Sequence, residues 1–247
     1  AEHVRFVKVL IIRPQPGADA TARRFAAAGY APVLMPLFAI EHLPPLSVSV
    51  DGYDAILLTS GNAARAARGF LERARDIPIY AVGSATASAL AHLSLPVAAT
   101  GSSGVEALVG VAAADGHTKL LWLAGEDHSA VPQIAGVHID IAIVYRSAAL
   151  ETPAQFAAQV TICDAVILHS SRAAVHFAHL CDAGGLSRSK IALATFSNAI
   201  AASAGDGWAQ IIVATSPNDA ALMDAIGQHF TRIHCAPPPN AAIEGAT

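Results

Sequence analysis

Two short apolar runs in the chain end in a serine that precedes a helical segment. Asp54-Ala-Ile-Leu-Leu-Thr-Ser60 matches Asp164-Ala-Val-Ile-Leu-His-Ser170. If each run is a parallel strand, its serine lies at the carboxyl edge of a sheet, where open α/β sheets bind ligands. The helix that follows offers free N–H groups and a positive dipole end, which attract anions. The pattern predicts a ligand that carries several carboxylates or phosphates.

Further hydroxyl and amide side chains fall at equivalent turns: Thr86, Ser102, Ser103, Ser197, Asn198 and Ser216. Each could equally be an ordinary helix cap, which stabilises a protein by about 1 kcal/mol. The cap is the simpler interpretation for any single residue. A ligand site is the better interpretation for the set.

Other chemical motifs do not support redox, phosphoryl-transfer or metal chemistry. The sequence contains no P-loop, no complete Gly-x-Gly-x-x-Gly and no Gly-x-Ser-x-Gly. His176, His179 and Cys181 could in principle bind a metal, but they lack a second pair of ligands. We therefore expect neither a metal nor a cofactor.

Composition excludes several classes of protein. The net charge of −4 and the pI near 6.2 argue against nucleic-acid binding. The uncharged stretch 77–105 is long enough to span a bilayer, but its prolines and glycines would break a membrane helix. The three cysteines are an odd number and are scattered, which argues against a disulfide framework. The first residues have no leader pattern, so we expect a cytoplasmic protein.

Apolar runs alternate with alanine-rich segments along most of the chain. The predicted strands are Val7–Ile12, Ala55–Leu58, Ile79–Val82, Leu120–Leu123, Ile139–Tyr145, Ala165–Leu168, Ile191–Ala194 and Ile211–Val213. The predicted helices lie near 18–28, 62–74, 84–93, 103–114, 153–160, 171–183, 197–204 and 217–230. Strands without polar alternate positions are typical of a parallel sheet covered on both faces, so we predict an α/β fold.

The chain also resembles itself. Besides the two serine-ending runs, the segment 79–87 matches 191–199, and 97–108 matches 211–222, in the same order and at nearly constant separation. Convergent strand–helix patterning would produce weaker similarity of this kind. We therefore predict two similar α/β lobes that arose by duplication, with the ligand bound in a cleft between them.

Five segments follow one another in the order of a known family: Leu10-Ile-Ile-Arg13-Pro14, Leu58-Thr-Ser-Gly-Asn-Ala63, Tyr80-Ala-Val-Gly-Ser-Ala-Thr-Ala87, Leu121-Trp-Leu-Ala-Gly-Glu126 and Val144-Tyr-Arg146. In this order they resemble uroporphyrinogen-III synthases. The resemblance implies a discontinuous first lobe, 1–37 plus 149–235, and a second lobe, 38–148. Two extended crossings, near 38–43 and 146–150, would join the lobes. Because it contains three prolines and no apolar periodicity, the segment 236–247 is predicted to be a disordered tail.

The resemblance also implies a reaction. The family converts hydroxymethylbilane, a linear tetrapyrrole with carboxylate arms, into uroporphyrinogen III. The substrate loses its terminal hydroxyl as water, and a spiro intermediate then rearranges so that one pyrrole ring is inverted. The implied protein is a monomeric lyase that needs no cofactor.

Site residues are implied in the same way. Tyr145 is the candidate acid that assists departure of the hydroxyl, although a tyrosine at a strand end can also be merely packed. Arg65 could add positive charge, and Arg13 is interpreted as structural. The implied substrate-binding residues are Thr59, Ser60, Asn62, Gly83, Thr86, Ser102, Ser103, Ser170, Ser171, Ser197, Asn198 and Arg146.

One segment departs from the family pattern. The chain has Thr195-Phe-Ser-Asn-Ala199 where the family usually has Gly-x-Thr-Thr-Ala. A β-branched threonine does not readily take the positive φ that a glycine can serve there. The departure leaves open an alternative, a two-lobed binding or regulatory protein that has lost catalysis. A periplasmic-type binding protein is disfavoured, because no signal peptide is seen.

Overall fold

The computed structural model describes residues 6–44, 48–101 and 104–230. Ser102, Ser103 and the predicted tail 236–247 lie outside the described residues. The strands are β1 (Lys8–Ile11), β2 (Ala31–Leu34), β3 (Phe38–His42), β4 (Ala55–Leu58), β5 (Ile79–Val82), β6 (Ala99–Gly101), β7 (Lys119–Gly125), β8 (His138–Ala149), β9 (Ala165–Leu168), β10 (Ala192–Thr195) and β11 (Gln210–Val213). The helices are α1 (Gly17–Ala27), α2 (Gly61–Ala66), α3 (Arg68–Arg73), α4 (Gly83–His92), α5 (Val105–Ala114), α6 (Phe156–Ile162), α7 (Ser171–Ala183), α8 (Asn198–Ala204) and α9 (Asp219–His229).

The chain divides into two compact units. Unit 1 comprises Ala1–Ala39 and Ala149–Thr247, and unit 2 comprises Ile40–Ala148. The chain passes from one unit to the other within β3 and again within β8, and it is extended at both places. Unit 1 is therefore built from two separate parts of the sequence.

Unit 1 contains a parallel sheet in the order β11-β10-β9-β1-β2. Alternate residues of β1 face different layers: Leu10 packs in one apolar cluster, while Val9 and Ile11 pack in the cluster on the other face. Each strand of this kind buries both its faces, which is why its sequence is apolar throughout.

Unit 2 contains a sheet in the order β3-β8-β7-β4-β5-β6. The pairs from β8 to β6 are parallel. At the edge, Leu43 donates its N–H to the carbonyl of Val144 and Leu150 donates to the carbonyl of Leu37, each at 2.9 Å, so β3 runs opposite to β8. Ile56 and Leu58 pack on one face of the sheet, and Leu57 packs on the other. The prediction of α/β lobes with parallel-dominated sheets is confirmed, and the matching order of β4-β5-β6 and β9-β10-β11 is compatible with duplication.

Several elements differ from those predicted from the sequence. β2 was not predicted, because it contains Pro32. The sheet tolerates this proline because β2 is an edge strand. The short edge strand β6 was also not predicted, and the single helix predicted over 62–74 is divided at Ala67 into α2 and α3. β8 extends beyond the predicted Ile139–Tyr145 at both ends.

Two features are absent from the described residues. None of their helices has the length and apolar character needed to cross a membrane. No group of three or more His, Cys, Asp or Glu side chains among them is placed to hold a metal ion.

Candidate active site

The turn after β4 holds the first predicted site residues. The Thr59 hydroxyl accepts a hydrogen bond from Trp122 Nε1 at 3.3 Å. Ser60 is the N-cap of α2, and its Oγ accepts from the backbone N–H of Asn62 at 3.1 Å. This contact is a helix cap, the simpler of the two interpretations of these hydroxyls. However, a hydroxyl that accepts a hydrogen bond can still donate its own proton to a ligand.

Tyr145 lies near the end of β8 with its ring over Gly125 of β7. The pairing of β7 with β8 shifts register between Ala124 and Gly125, and the shift sets Gly125 opposite Tyr145. A Cβ atom at Gly125 would lie 2.5 Å from Cζ and 2.7 Å from the hydroxyl oxygen of Tyr145. The ring can occupy this position only because Gly125 has no side chain. On its other side, Tyr145 packs against the apolar core of unit 2.

Arg65 lies beside the turn after β4 and interacts electrostatically with Tyr145. Its Nη2 donates to Asn62 Oδ1 at 2.5 Å. Burial lowers the pKa of Arg65, and the electrostatic interaction with Tyr145 opposes this shift. A guanidinium remains charged in proteins. The structure thus groups a phenol, a positive charge and an amide at one edge of unit 2.

Arg146, the next residue along β8, is placed differently. Its Nε donates to Glu41 Oε2 at 2.7 Å, and both side chains are exposed. The hydrogen bond and the charge of Glu41 raise the pKa of Arg146. Its role in substrate binding stays a prediction.

The turn after β5 contains Gly83 and Thr86. Gly83 has φ of +76° and is the first residue of α4. Thr86, one helical turn later, is only 3% exposed, so its side chain lies inside unit 2. Of this pair, the backbone at Gly83 is the part that a ligand could reach.

Unit 1 presents two capped helices at the corresponding edge. Ser170 is the N-cap of α7, and its Oγ accepts from Ala173 N–H at 3.2 Å. Ser197 is the N-cap of α8, and its Oγ accepts from Ile200 N–H at 3.3 Å. Ser171 and Asn198, the first residues of these helices, are exposed.

The segment that departs from the family pattern avoids backbone strain. Among the described residues, Ser94 is the only residue other than glycine with a positive φ, so Thr195 does not have one. The Thr195 hydroxyl instead donates to the carbonyl of Ser197 at 3.2 Å. Thr195 matches Gly83, the first residue of α4, but it still belongs to the extended strand β10. The helix of unit 1 begins three residues later, at Asn198.

Unit 1 also contains a buried polar cluster that was not predicted from the sequence. Asp219, 7% exposed, accepts from Arg24 Nε and Nη2, each at 2.6 Å, and from the Thr21 hydroxyl at 3.3 Å. His169 lies beside it, with its Nε2 at 3.9 Å from Asp219 Oδ1 and its ring edge-on to Phe196. Burial, followed by the charges of Arg13 and Arg24, lowers the pKa of His169 well below its usual value.

Only a weak signal in the sequence pointed to this cluster. His169 replaces the threonine at the matching position of the first run, Thr59. Arg24 and Asp219 are 195 residues apart, and no local pattern links them. The glycine under Tyr145 had a comparable signal, since Gly125 ends an apolar strand next to the one that carries the tyrosine.

Comparison with protein families gives one match over most of the chain. A family model described as uroporphyrinogen-III synthase HemD matches residues 19–224. No curated protein shows a significant sequence match to the chain.

Solved structures give matches of the same kind. Uroporphyrinogen-III synthetase from Helicobacter pylori is 14% identical, with a TM-score of 0.61 over 91% of this chain and 100% of that chain. A mutant uroporphyrinogen III synthase from the extremely thermophilic bacterium Thermus thermophilus is also 14% identical, with a TM-score of 0.50 over 90% of this chain and 98% of that chain. At such identity the likeness concerns the fold.

Proposed function

The chain belongs to the uroporphyrinogen-III synthase family, and on this premise we propose that it is itself a cofactor-independent lyase that converts hydroxymethylbilane into uroporphyrinogen III. The observation that carries the proposal is the position of Tyr145 over Gly125, within electrostatic range of Arg65. We further propose that the protein acts as a monomer in the cytoplasm, as expected from the sequence.

The first step breaks the bond between the terminal carbon of the substrate and its hydroxyl oxygen. The lone pair of the adjacent pyrrole nitrogen expels the oxygen, which leaves as water after it takes a proton from the Tyr145 hydroxyl. The positive charge of Arg65 stabilises the negative charge that develops on the phenol oxygen. The products of this step are a protonated azafulvene, which keeps its N–H, the Tyr145 phenolate and one water molecule.

The second step forms the ring. The last pyrrole attacks the azafulvene through a carbon that already bears a substituent, and the spiro intermediate opens and closes again with that pyrrole inverted. The proton released when the pyrrole regains its aromaticity returns to Tyr145. The whole reaction loses one water and needs neither an oxidant nor a reductant.

The protein must also prevent closure without inversion, which the substrate undergoes by itself. A preference of about a thousandfold requires roughly 4 kcal/mol of difference between the two transition states. Positioning of the carboxylate arms can supply a difference of this size. We propose that the hydroxyls of Ser60, Ser170 and Ser197 and the backbone at Gly83 hold these arms, since all four lie at turns that follow strand ends.

One observation favours a second candidate, a binding protein without catalysis. Ser60, Ser170 and Ser197 each cap a helix, and the turn at Thr195 differs from the family pattern. Such a protein would bind the carboxylated tetrapyrrole tightly and leave it unchanged. The grouping of Tyr145 with Arg65 favours the enzyme.

The test feeds freshly prepared hydroxymethylbilane to the protein, oxidises the product and separates the porphyrin isomers. We expect mostly type III product from the wild type. Because general acid catalysis contributes about 10² to 10⁴ in rate, Tyr145→Phe should lower kcat at least a hundredfold and leave the melting temperature unchanged.

Tyr53→Phe is the matched control. Tyr53 is another partly buried tyrosine of unit 2, and its hydroxyl donates to Asp140 at 3.0 Å. This variant should keep the wild-type rate. Type I product at the uncatalysed rate, from folded wild-type protein, would refute the synthase proposal and leave the binding protein.

A further inference from the structure

A groove of about 470 Å³ runs along one face of α7 in unit 1. Its lining residues are Phe38, Ala149, Arg172, Val175, His176 and His179. The volume lies in the range of small-molecule sites, about 300 to 1,000 Å³. None of the residues implied by the family resemblance lines this groove.

The spacing of the lining residues explains why they meet. Residues three, four and seven positions apart share one face of a helix, and Arg172, His176 and His179 follow this spacing. They form a stripe of nitrogen-bearing side chains from the first turn of α7 toward its middle. Val175, beside the stripe, is 56% exposed, which leaves an apolar side chain open to a ligand.

Phe38 forms the buried floor of the groove. The guanidinium carbon of Arg172 lies 5.4 Å from the centre of the Phe38 ring. The His176 ring lies 5.1 Å from the same centre at an interplanar angle of 58°. Contact with an aromatic ring orients a guanidinium, and the N–H groups in its plane match the geometry of a carboxylate. The groove thus combines an aromatic floor with an oriented positive charge.

The polar groups of the groove favour an anion. Arg172 is always charged, and none of the six lining residues is acidic. Burial, followed by the charges of His179 and Arg172, lowers the pKa of His176, so its imidazole is neutral near pH 7. His176 Nε2 is buried without a hydrogen-bond partner among the described residues. A metal ion is disfavoured, because the arginine would repel it.

We propose that this groove binds one carboxylate-bearing pyrrole ring of the linear tetrapyrrole, a role that rests on the proposed function. Arg172 pairs with the carboxylate through its planar N–H fork, and the pyrrole packs against Phe38 and Val175. The groove therefore adds a side-chain subsite to the strand-end turns.

The test measures steady-state kinetics with hydroxymethylbilane. Arg172→Ala should raise KM about tenfold, the equivalent of about 1.4 kcal/mol of binding, while kcat and the type III fraction stay within about twofold. Arg172→Lys keeps the charge but not the fork, so its KM should be intermediate. Arg23→Ala, which removes one exposed arginine from α1 of the same unit, should leave KM unchanged. Arg172→Gln, which keeps much of the side-chain stem, replaces Arg172→Ala if the alanine variant fails to fold.

A second measurement separates failure of the groove from failure of the proposed function. Wild-type KM in folded Arg172→Ala, alongside a slow Tyr145→Phe, would overturn the groove and leave the synthase proposal intact. If the wild type yields no type III product, equilibrium binding of uroporphyrin III decides. A Kd about tenfold weaker in Arg172→Ala would support the groove as a carboxylate site, and an unchanged Kd would overturn it.

Discussion

The turn after β4 in unit 2 and the turn after β9 in unit 1 have the same backbone conformation at their cap serines, but their surroundings differ. Ser60 has φ −150° and ψ 136°, Ser170 has φ −154° and ψ 155°, and each caps the helix that follows. The preceding residue differs: Thr59 accepts from Trp122, whereas His169 is buried beside Asp219. The repeated turn therefore sets where a hydroxyl lies, and its neighbours decide what chemistry lies around it.

The turns after β5 and β10 differ more. In unit 2, Gly83 takes a positive φ, and α4 begins with it. In unit 1, Thr195 stays extended, and Ser197 caps a helix that begins at Asn198. The substitution is accommodated by a later helix start rather than by strain. The two units therefore begin the matching helix at different positions of this turn.

Apart from the loss of the Tyr145 hydroxyl, the largest expected effect comes from filling the space under Tyr145. In Gly125→Ala the new methyl group would lie 2.5 Å from the ring, so the ring must move. We expect kcat to fall at least tenfold in the isomer assay, with unit 2 still folded. The control is Gly110→Ala in α5, where nothing lies within 4 Å of the new methyl group.

Gly110→Ala should keep full activity and stabilise α5 by up to about 1 kcal/mol, because alanine is the better helix former. Full activity in Gly125→Ala would show that the position of the Tyr145 ring does not matter. The ring of Tyr145 over Gly125 would then no longer distinguish unit 2 from unit 1 in the proposed reaction.

The second effect concerns acid sensitivity, which we expect in unit 1. Because burial holds the pKa of His169 well below 6.5, the unfolded chain binds a proton that the folded chain does not. Stability is therefore fully present above about pH 6.5 and falls as the pH drops below it, by up to about 1.4 kcal/mol per pH unit. The groups around His169 are Arg13, Arg24, Asp219 and Phe196.

Hydrogen exchange read separately for the two units at pH 7.5 and 5.5 measures this effect. Protection in β9 and β10 should decrease at the lower pH, and His169→Gln should remove most of the decrease. If the variant loses as much protection as the wild type between pH 7.5 and pH 5.5, the acid sensitivity belongs to other groups.

The smallest effect compares Ser60 and Ser170, the cap serines of the two matching turns. Ser60→Ala and Ser170→Ala should each cost about 1 kcal/mol of stability, because each removes one hydrogen bond to a helix N-terminus. If the hydroxyls also bind carboxylate arms, KM should rise severalfold in both variants. Ser203→Ala, which removes a hydroxyl near the C-terminal end of α8 that donates to the carbonyl of Ala199, should change neither quantity. Wild-type KM in both cap variants would reduce these serines to caps.

The elements that the sequence predicted best are those with local signals. β4, β5 and β9 match their predicted ranges, because each is a short apolar run buried on both faces. α7 also matches, since Ser170 marks its start. The edge strand β2 was missed, because proline argues against a strand and only the sheet order shows that this strand is an edge.

The candidate site was less predictable. Tyr145 and Ser60 could be named by resemblance, but the contact between Tyr145 and Gly125 depends on a register shift between two strands. The ion pair of Arg24 with Asp219 joins residues at opposite ends of the chain. Contacts of this kind arise from the tertiary arrangement, and no periodicity or spacing in the sequence encodes them.

The order of strands in unit 1 has a consequence for synthesis on the ribosome. β1 lies inside its sheet between β2 and β9, and the backbone N–H of Lys8 donates to the side chain of Asp164, 156 residues later. The segment around β1 can pair with β2 early, but it must wait for its other partner strand until β9 has left the ribosome. The residues of unit 2 form one continuous stretch and can fold during that interval. Unit 1 bears the entropic cost of closing this long loop, and its folding is expected to be the slower of the two.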